Sequence, residues 1–217
     1  MEPLLLVVAP MAHAGYTLSA TEIFAVLFLM LGPLKIIGPF FAQTRDQSPA
    51  QMRELAFKVF ALAVVAVVVG GWVGARLLDK WQVSTTVLQL AAGLIFLLTA
   101  LQVVLAQYAP AASMPAPASV MHLLFPVTIT PYGMAALILL LANANDARRY
   151  LIVLLIALLV LVLDCLAMLG ARVVMHAIGP VPLQLLGAVL GVLQVALALA
   201  ILLGALHKAG LLPGFLP

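Results

Sequence analysis

The sequence predicts an all-α membrane protein of six transmembrane helices, arranged as two inverted three-helix repeats, with helices 1 and 4 broken near the midplane. Of the 217 residues, 66% are apolar and only 8% are charged, and the mean hydropathy is +1.27. A soluble domain has about a quarter charged residues. We therefore expect a single transmembrane domain over residues 1–217, embedded in a lipid bilayer.

Apolar runs long enough to cross about 30 Å of hydrocarbon, roughly 20 residues each, recur six times after Thr21. The polar residues collect in the connections between these runs, which is the pattern of a multi-pass membrane protein. The predicted spans are residues 23–43, 55–77, 86–107, 120–142, 150–173 and 183–206.

Residues 1–20 precede the first span and need a separate interpretation. Ala12-His13-Ala14 has the small-x-small pattern of a cleavage site, but the segment before it carries Glu2 and no basic residue. Signal peptides begin with a basic region and a longer apolar run. We expect an uncleaved, non-helical or interfacial leader, with a cleaved signal peptide as the alternative.

Several short words occur twice along the chain at a nearly constant spacing. Gly74-Ala75-Arg76 recurs as Gly170-Ala171-Arg172, and Leu88-Gln89-Leu90 recurs as Leu183-Gln184-Leu185. Repeats of this kind decide an architecture before any single motif does. The words therefore indicate two copies of one structural unit.

The two copies have defined limits in the sequence. The first repeat covers approximately residues 21–108, and the second covers approximately residues 120–210. An Ala- and Pro-rich linker at residues 109–119 joins them. Because each copy has an odd number of spans, the second copy enters the membrane in the opposite direction. Inverted repeats of this kind are the plan of many secondary transporters.

Helix-breaking residues interrupt the first predicted span at Gly32-Pro33 and again at Gly38-Pro39. A proline inside a helix costs about 3 kcal/mol, and Lys35 in the middle of a bilayer adds about 2.5 to 3.5 kcal/mol. Pro126 and Pro131 interrupt the fourth span at corresponding positions. Broken helix within a membrane is tolerated where it is buried in protein or lines a wet cavity. The two breaks therefore predict a site.

Paired discontinuous helices direct the dipoles of their half-helix ends at a ligand near the midplane. Gln102 and Gln194 could line the same path, whereas Tyr132 is expected to be a packed or interfacial ring. The principal candidates for the substrate path are Gly32, Pro33, Lys35, Gly38, Pro39, Thr44, Pro126, Thr128, Thr130, Pro131 and Asp164.

Two of these candidates carry charge. Lys35 lies inside the first break, and Asp164 is the one acid deep within a later span. Intramembrane ionisable groups usually have a functional partner, so we hypothesise a charge pair that opens when an anion binds Lys35 or a proton binds Asp164. The alternatives are a static pair that holds the halves together and a lysine that extends to the membrane surface. For Thr44, Thr128 and Thr130, bonding to freed backbone groups is favoured over binding substrate.

At the two breaks the sequence resembles the MarC family of six-span membrane proteins, which is related to the SnatA neutral amino-acid transporters and the LysE-like exporter superfamily. The family's first-span pattern, D-P-x-G-N-x-P-x-F followed by a threonine, is matched at Pro33, Phe40 and Thr44. Its second signature, P-x-x-x-G-P-G, is matched at Pro126 and Pro131. The resemblance covers residues of about 21–210.

The chain departs from the family pattern at the first break. Gly32 stands in place of an aspartate and Ile36 in place of an asparagine, while Lys35 replaces a glycine and Gly38 a proline. If those two polar residues hold the family's ligand or ion, this chain has lost both groups and gained a cation. The resemblance implies a transporter or exporter of small solutes, with neutral amino acids as candidates, in the cytoplasmic (inner) membrane. The alternative is a channel or a non-transporting relative.

The remaining expectations concern partners and orientation. Coupling to protons or sodium is expected from the class, and neither a cofactor nor a metal site is expected. No H-E-x-x-H, G-x-S-x-G or nucleotide motif occurs, which argues against an enzyme. The ten Lys and Arg form no basic block, which argues against nucleic-acid binding. Small-x-x-x-small words such as Gly70-x-x-x-Gly74 leave a homo-oligomer open. Basic residues follow the first span, so both termini are expected outside.

Overall fold

The computed structural model describes residues 18–106, 119–144 and 146–211. Within those ranges the chain is all-helical and contains no strand. Most of the predicted leader and all but the last residue of the predicted linker lie outside the described residues.

Five helical segments are long and apolar enough to cross a membrane, and a shorter apolar helix, Pro131–Ala142, lies in the region of the fourth predicted span. Length and composition therefore define a multi-pass integral membrane protein. The five long segments are Ala20–Thr44, Pro49–Lys80, Thr85–Gln102, Ala147–Ile178 and Leu185–Lys208.

Helix α1, Ala20–Leu31, and helix α3, Pro49–Lys80, both begin with a capping box. The side chains of Ser19 and Ser48 accept the N–H of the third helical residue, whose own side chain accepts the serine N–H in return. Two N–H groups that have no intrahelical partner are satisfied at each helix start. The serines therefore set where these two helices begin.

A junction that is not α-helical separates α1 from helix α2, Ile37–Thr44. Gly32 has an extended backbone, and Pro33–Lys35 forms one turn of 3₁₀ helix. A Cβ atom at Gly32 would collide with the carbonyl of Phe28, so the chain needs glycine here to leave α1. Pro39 lies in the first turn of α2, where its missing N–H leaves no intrahelical bond unmade. The non-helical part is thus shorter than the proline- and glycine-rich stretch.

The fourth predicted span also has an irregular start. Helix α5, Val120–His122, runs into a π-helical turn, Leu123–Thr128, which includes Pro126. The next two residues are extended, and helix α6, Pro131–Ala142, then begins with its proline at the first position. Proline is well tolerated there because that N–H would have no partner anyway.

Three long helices complete the structure: α4, Thr85–Ala106; α7, Ala147–Ile178; and α8, Pro180–Lys208. The Asp146 side chain caps α7 by accepting the N–H of its third residue. Between α7 and α8, Gly179 has a φ of 79°, in the left-handed region that favours glycine. This single residue separates two long helices.

The helices of each predicted repeat pack mainly against helices of the other repeat. Helices α1 and α2 contact α7, while the π-helical turn and α6 contact α3. Helix α4 packs along α8, and α3 packs along α7. If the two repeats are exchanged, the contacts of α1 and α2 with α7 become those of the π-helical turn and α6 with α3. The α4–α8 and α3–α7 contacts each correspond to themselves.

Three buried apolar clusters meet at the end of α1. Leu31 belongs to the cluster between α1, α3, α6 and α7, whereas Met30 belongs to the cluster with α4, α6 and α8. Ile36, just beyond the 3₁₀ turn, belongs to a third cluster with α2, α3 and α7. Both ends of the junction, Leu31 and Ile36, are therefore buried in the core, whereas Leu34 in the 3₁₀ turn is exposed.

Large apolar side chains cover the outside of the bundle. Such a surface would associate or aggregate in water, and it is the normal face of a helix in lipid. Helices α3, α4, α7 and α8 all contribute, with Trp72, Leu98, Leu155 and Val192 among the exposed side chains.

Candidate functional site

Polar side chains from three elements meet at the C-terminal end of α1. The last carbonyls of a helix have no intrahelical partner. The Met30 carbonyl accepts hydrogen bonds from Lys35 Nζ and, at 3.1 Å, from Thr130 Oγ1. The Leu29 carbonyl accepts one from Gln194 Nε2 at 3.2 Å. We call this group, together with Tyr132, the α1-end cluster.

Thr130 links two helix ends of opposite polarity. Its side chain is 5% exposed, and its hydroxyl accepts the N–H of Gly133 at 3.2 Å while donating to the Met30 carbonyl. A helix N-terminus carries partial positive charge and a helix C-terminus partial negative charge. The threonine therefore satisfies an N–H at the start of α6 and a carbonyl at the end of α1.

Gly133 allows the two helix ends to approach each other. A Cβ atom at this position would press into the side chain of Leu31 and against Thr130 Oγ1. Leu31 is itself fully buried and has little freedom to move aside. Close approach of this kind between helices requires a small residue at the contact.

The ammonium group of Lys35 contacts Tyr132 in two ways. Lys35 Nζ donates to the Tyr132 hydroxyl at 3.0 Å, and it lies 5.0 Å from the centre of the ring. The Tyr132 ring stacks on Phe96 of α4 with 4.5 Å between the ring centres. The negative end of α1 and the aromatic ring both favour a cation at this place.

Asp164 of α7 is buried beside this region without a partner. Its side chain is 1% exposed, and neither carboxylate oxygen forms a hydrogen bond within the described part of the chain. Its neighbours along α7, Leu161, Cys165 and Met168, belong to the apolar clusters. Helix α7 packs against the 3₁₀ turn that carries Lys35, which places Asp164 within electrostatic range of the Lys35 ammonium group.

The hypothesised contact between Lys35 and Asp164 is absent from this conformation. The ion pairs among the described residues join Arg45 to Asp46 and Lys58 to Glu54, both on the surface. The ammonium group of Lys35 is held instead by the free carbonyl at the end of α1 and by Tyr132. The hypothesis that the pair opens and closes stays a prediction.

Two of the predicted threonines bond to nearby backbone instead. Thr44 Oγ1 donates to the Phe40 carbonyl at 2.7 Å, and Thr128 Oγ1 donates to the Leu123 carbonyl at 2.9 Å. Both side chains are buried and bond within their own helical segments. Among the predicted polar residues, Lys35 and Thr130 share one carbonyl and Asp164 lies close enough to act on Lys35.

For three residues the structure shows partners that the sequence interpretation did not identify. Tyr132 was expected to be a packed or interfacial ring, and Gln194 was noted as a path residue without a partner. Arg172, recognised only as part of a repeated word, donates from Nη2 to the carbonyls of Thr44, at 2.8 Å, and Gln47, at the C-terminal end of α2. Helix periodicity gives no signal for such partners, because each bond joins elements far apart in sequence.

The fold and the site define a multi-pass integral membrane protein with a charged group, Lys35, just beyond the C-terminal end of α1. Residues 18–209 match the model of the family described as MarC family integral membrane protein. Because this match covers most of the sequence, the chain belongs to the MarC family. Neither the curated proteins nor the solved structures gave a match.

Proposed function

We propose that this protein is a secondary transporter of small solutes, with neutral amino acids as the first candidates, and that substrate binds at the α1-end cluster. The observation that carries the proposal is the meeting of Lys35, Thr130 and Gln194 on the free carbonyls of α1. Charged and polar groups inside a membrane bundle are costly and usually mark a solute path.

The chemistry of the site suits a zwitterion. The Lys35 ammonium and the N-terminal end of α6 offer positive charge to a carboxylate. The carbonyls at the C-terminal end of α1 offer acceptors to an ammonium group. A small neutral amino acid carries both groups. These features support an amino acid over a purely anionic or cationic solute.

We further propose that the chain crosses the membrane six times. In a six-span chain, every loop and terminus has a defined side, and three hydrogen bonds each join segments that this arrangement places on one side. The donors and acceptors are Arg149 and the Leu18 carbonyl, Arg172 and the Thr44 carbonyl, and Lys208 and Gln89. These contacts support six spans.

The inverted repeat is part of the same proposal. The contacts of α1 and α2 with α7 correspond to the contacts of α6 and the π-helical turn with α3 when the halves are exchanged. Irregular backbone occurs at corresponding places, after Leu31 and before Pro131. Both observations support two structurally related halves with helices 1 and 4 interrupted near the midplane.

We place the protein in the cytoplasmic (inner) membrane with both termini outside, because basic residues follow the first span. Single cysteines in a Cys165→Ser background test this orientation with a maleimide that does not cross membranes. In intact cells, Asp146→Cys should react and Asp46→Cys should react only after permeabilisation. The reverse labelling pattern would assign the opposite orientation.

The test of transport is flux of labelled glycine, alanine and serine in proteoliposomes that contain the purified protein, with and without a proton or sodium gradient. We expect saturable flux that responds to one gradient and is lost in Lys35→Ala. The matched control is Lys58→Ala, which removes an exposed lysine whose ion-pair partner among the described residues is Glu54 on its own helix. It should retain flux.

The outcomes separate the transporter from the alternative. Absence of flux for all three solutes with correctly folded protein would contradict amino-acid transport and favour a non-transporting relative. Flux that does not saturate and ignores both gradients would favour a channel. Equal loss of flux in Lys35→Ala and Lys58→Ala would remove the site assignment.

A further inference from the structure

We infer that Asp164 is the proton-binding group that couples transport to a proton gradient, an inference that rests on the proposed function. In the conformation described here the carboxyl group carries a proton. In the second conformation it has released that proton and pairs with Lys35. The ligand of this site is therefore a proton, bound on a carboxylate oxygen.

The first argument is the isolation of the Asp164 carboxyl group. Both of its oxygens are buried and lack a hydrogen-bond partner among the described residues. An unpaired ionised carboxylate in such a place is so unfavourable that the group takes up a proton instead. The other described acids lie at helix starts, at helix ends or in connections: Glu22, Asp46, Glu54, Asp79 and Asp146.

The second argument concerns which cation the site can hold. Hard metal cations such as Ca²⁺ and Mg²⁺ take several oxygen ligands. The residues beside Asp164 on α7 that belong to the core are Leu161, Cys165 and Met168, and none carries an oxygen in its side chain. A proton needs only one carboxylate oxygen.

The third argument is the position of Lys35. Its ammonium group has three N–H donors, and two are used, on the Met30 carbonyl and the Tyr132 hydroxyl. It is the charged group that acts on Asp164 within the described chain, and Cys165 is the titratable neighbour on α7. Arg172, two turns further along α7, is bonded to the end of α2. The Asp164 carboxylate is therefore the one group that competes with these partners for Lys35. It attracts the ammonium group once Asp164 has lost its proton.

The proton step follows from these positions. The O–H bond of Asp164 breaks, and its proton passes to water on the side to which the site is open. Lys35 keeps its three protons and moves from the Met30 carbonyl to the new carboxylate. The C-terminal end of α1 then loses one of its bonds to the 3₁₀ turn, while Thr130 remains on the same carbonyl. Protonation of Asp164 from the opposite side reverses these steps.

An infrared experiment tests the proton site without any substrate. Difference spectra of the full-length protein in liposomes, recorded between acidic and alkaline pH, report the carbonyl stretch of protonated carboxyl groups. We expect a band that persists at neutral pH and is lost in Asp164→Asn. Asp46→Asn, which alters an exposed acid, should keep the band. A band unchanged in Asp164→Asn, or absent from the unmodified protein at neutral pH, overturns the inference.

A transport experiment tests the coupling. With labelled alanine, Asp164→Asn should lose accumulation driven by a proton gradient but keep exchange of internal for external alanine, because its side chain stays neutral. If Asp164→Asn loses accumulation, exchange and the infrared band together, the result supports a proton site that the exchange step also needs. Accumulation driven by sodium alone, or accumulation that persists in Asp164→Asn, overturns the inference. If the unmodified protein moves no solute but shows the band, the proposed function fails and the proton site stands.

Discussion

The hydroxyl of Thr130 donates a hydrogen bond to the carbonyl of Met30 across 3.1 Å, and the two residues are 100 positions apart in the chain. Thr130 is the N-cap residue of α6, and Met30 lies in the last turn of α1. One side chain therefore joins the two interrupted regions that the sequence indicated separately. It also explains why the junction can lie in the core, because the carbonyl that α1 leaves free is satisfied there.

Replacement of Thr130 by valine should destabilise the protein by about 1 to 3 kcal/mol, because a buried N–H of α6 and a carbonyl of α1 both lose a partner. Thr130→Ser should recover most of that stability. The measurement is the free energy of unfolding from SDS titration in mixed micelles. The control, Thr99→Val, removes a hydroxyl whose hydrogen bonds in the described part of the chain are to carbonyls of its own helix, and it should change stability by about 0.5 kcal/mol or less. Equal losses would show that the link between α1 and α6 contributes nothing.

Gln194→Leu should also destabilise the protein, by about 1 to 3 kcal/mol, because the Leu29 carbonyl is left without its side-chain partner. Gln194 is 3% exposed, so water does not replace the lost amide group. Gln102→Leu is the matched control, because Gln102 is exposed on α4. Thermal unfolding of both variants in the same detergent gives the comparison. A Gln102→Leu variant as unstable as Gln194→Leu would contradict the assigned bond.

Gly32 and Pro33 have local effects on the backbone that do not depend on packing, and α1 ends at Leu31, directly before them. That the first span is broken near the midplane stays a prediction. The sequence was not sufficient to place Pro39, which helices tolerate in their first turn. Nor could it identify the partner of Lys35. That choice depends on which carbonyl is left free and on Tyr132, which lies one residue after the second break.

The same reasoning applies to the long-range contacts. The repeated words placed Arg76 and Arg172 at equivalent positions, but their bonds depend on the positions of other helices. The family was recognisable from the prolines at the two breaks. The number of spans and the inverted arrangement stay predictions, because they depend on where a bilayer surrounds the helices.

Gly133→Ala should destabilise the protein because the added methyl group would press into Leu31 and Thr130. Overpacking of this kind costs about 1 to 3 kcal/mol. Gly170→Ala is the control, because a Cβ atom there meets nothing within 4 Å, and alanine in a helix interior should stabilise by about 0.5 to 1 kcal/mol. SDS titration of both variants measures the difference. A neutral Gly133→Ala would mean that the ends of α1 and α6 separate easily.

Arg172 and Arg76 should respond differently to the same substitution. Arg172→Ala removes two hydrogen bonds from a charged donor to the end of α2, and we expect a loss of about 1.5 to 3 kcal/mol. Arg76 has no such bond in the described structure, and its guanidinium lies 6.0 Å from the ring centre of Trp72. Arg76→Ala should lower stability by about 1 kcal/mol or less.

If the two halves exchange their conformations during transport, the transport rate should be more sensitive to Arg76→Ala than to Arg172→Ala. That is the reverse of the order expected for stability. Arg76 lines a cleft of about 960 Å³ together with Leu141 and Ala142, at the C-terminal end of α6. That end corresponds to the end of α2 that Arg172 now holds. Arg76 is then expected to bond to α6 in the opposite conformation. Arg76→Ala should therefore lower the transport rate while leaving the free energy of unfolding of the present conformation nearly unchanged. An Arg76→Ala variant with unaltered flux would contradict an exchange of roles between the two arginines.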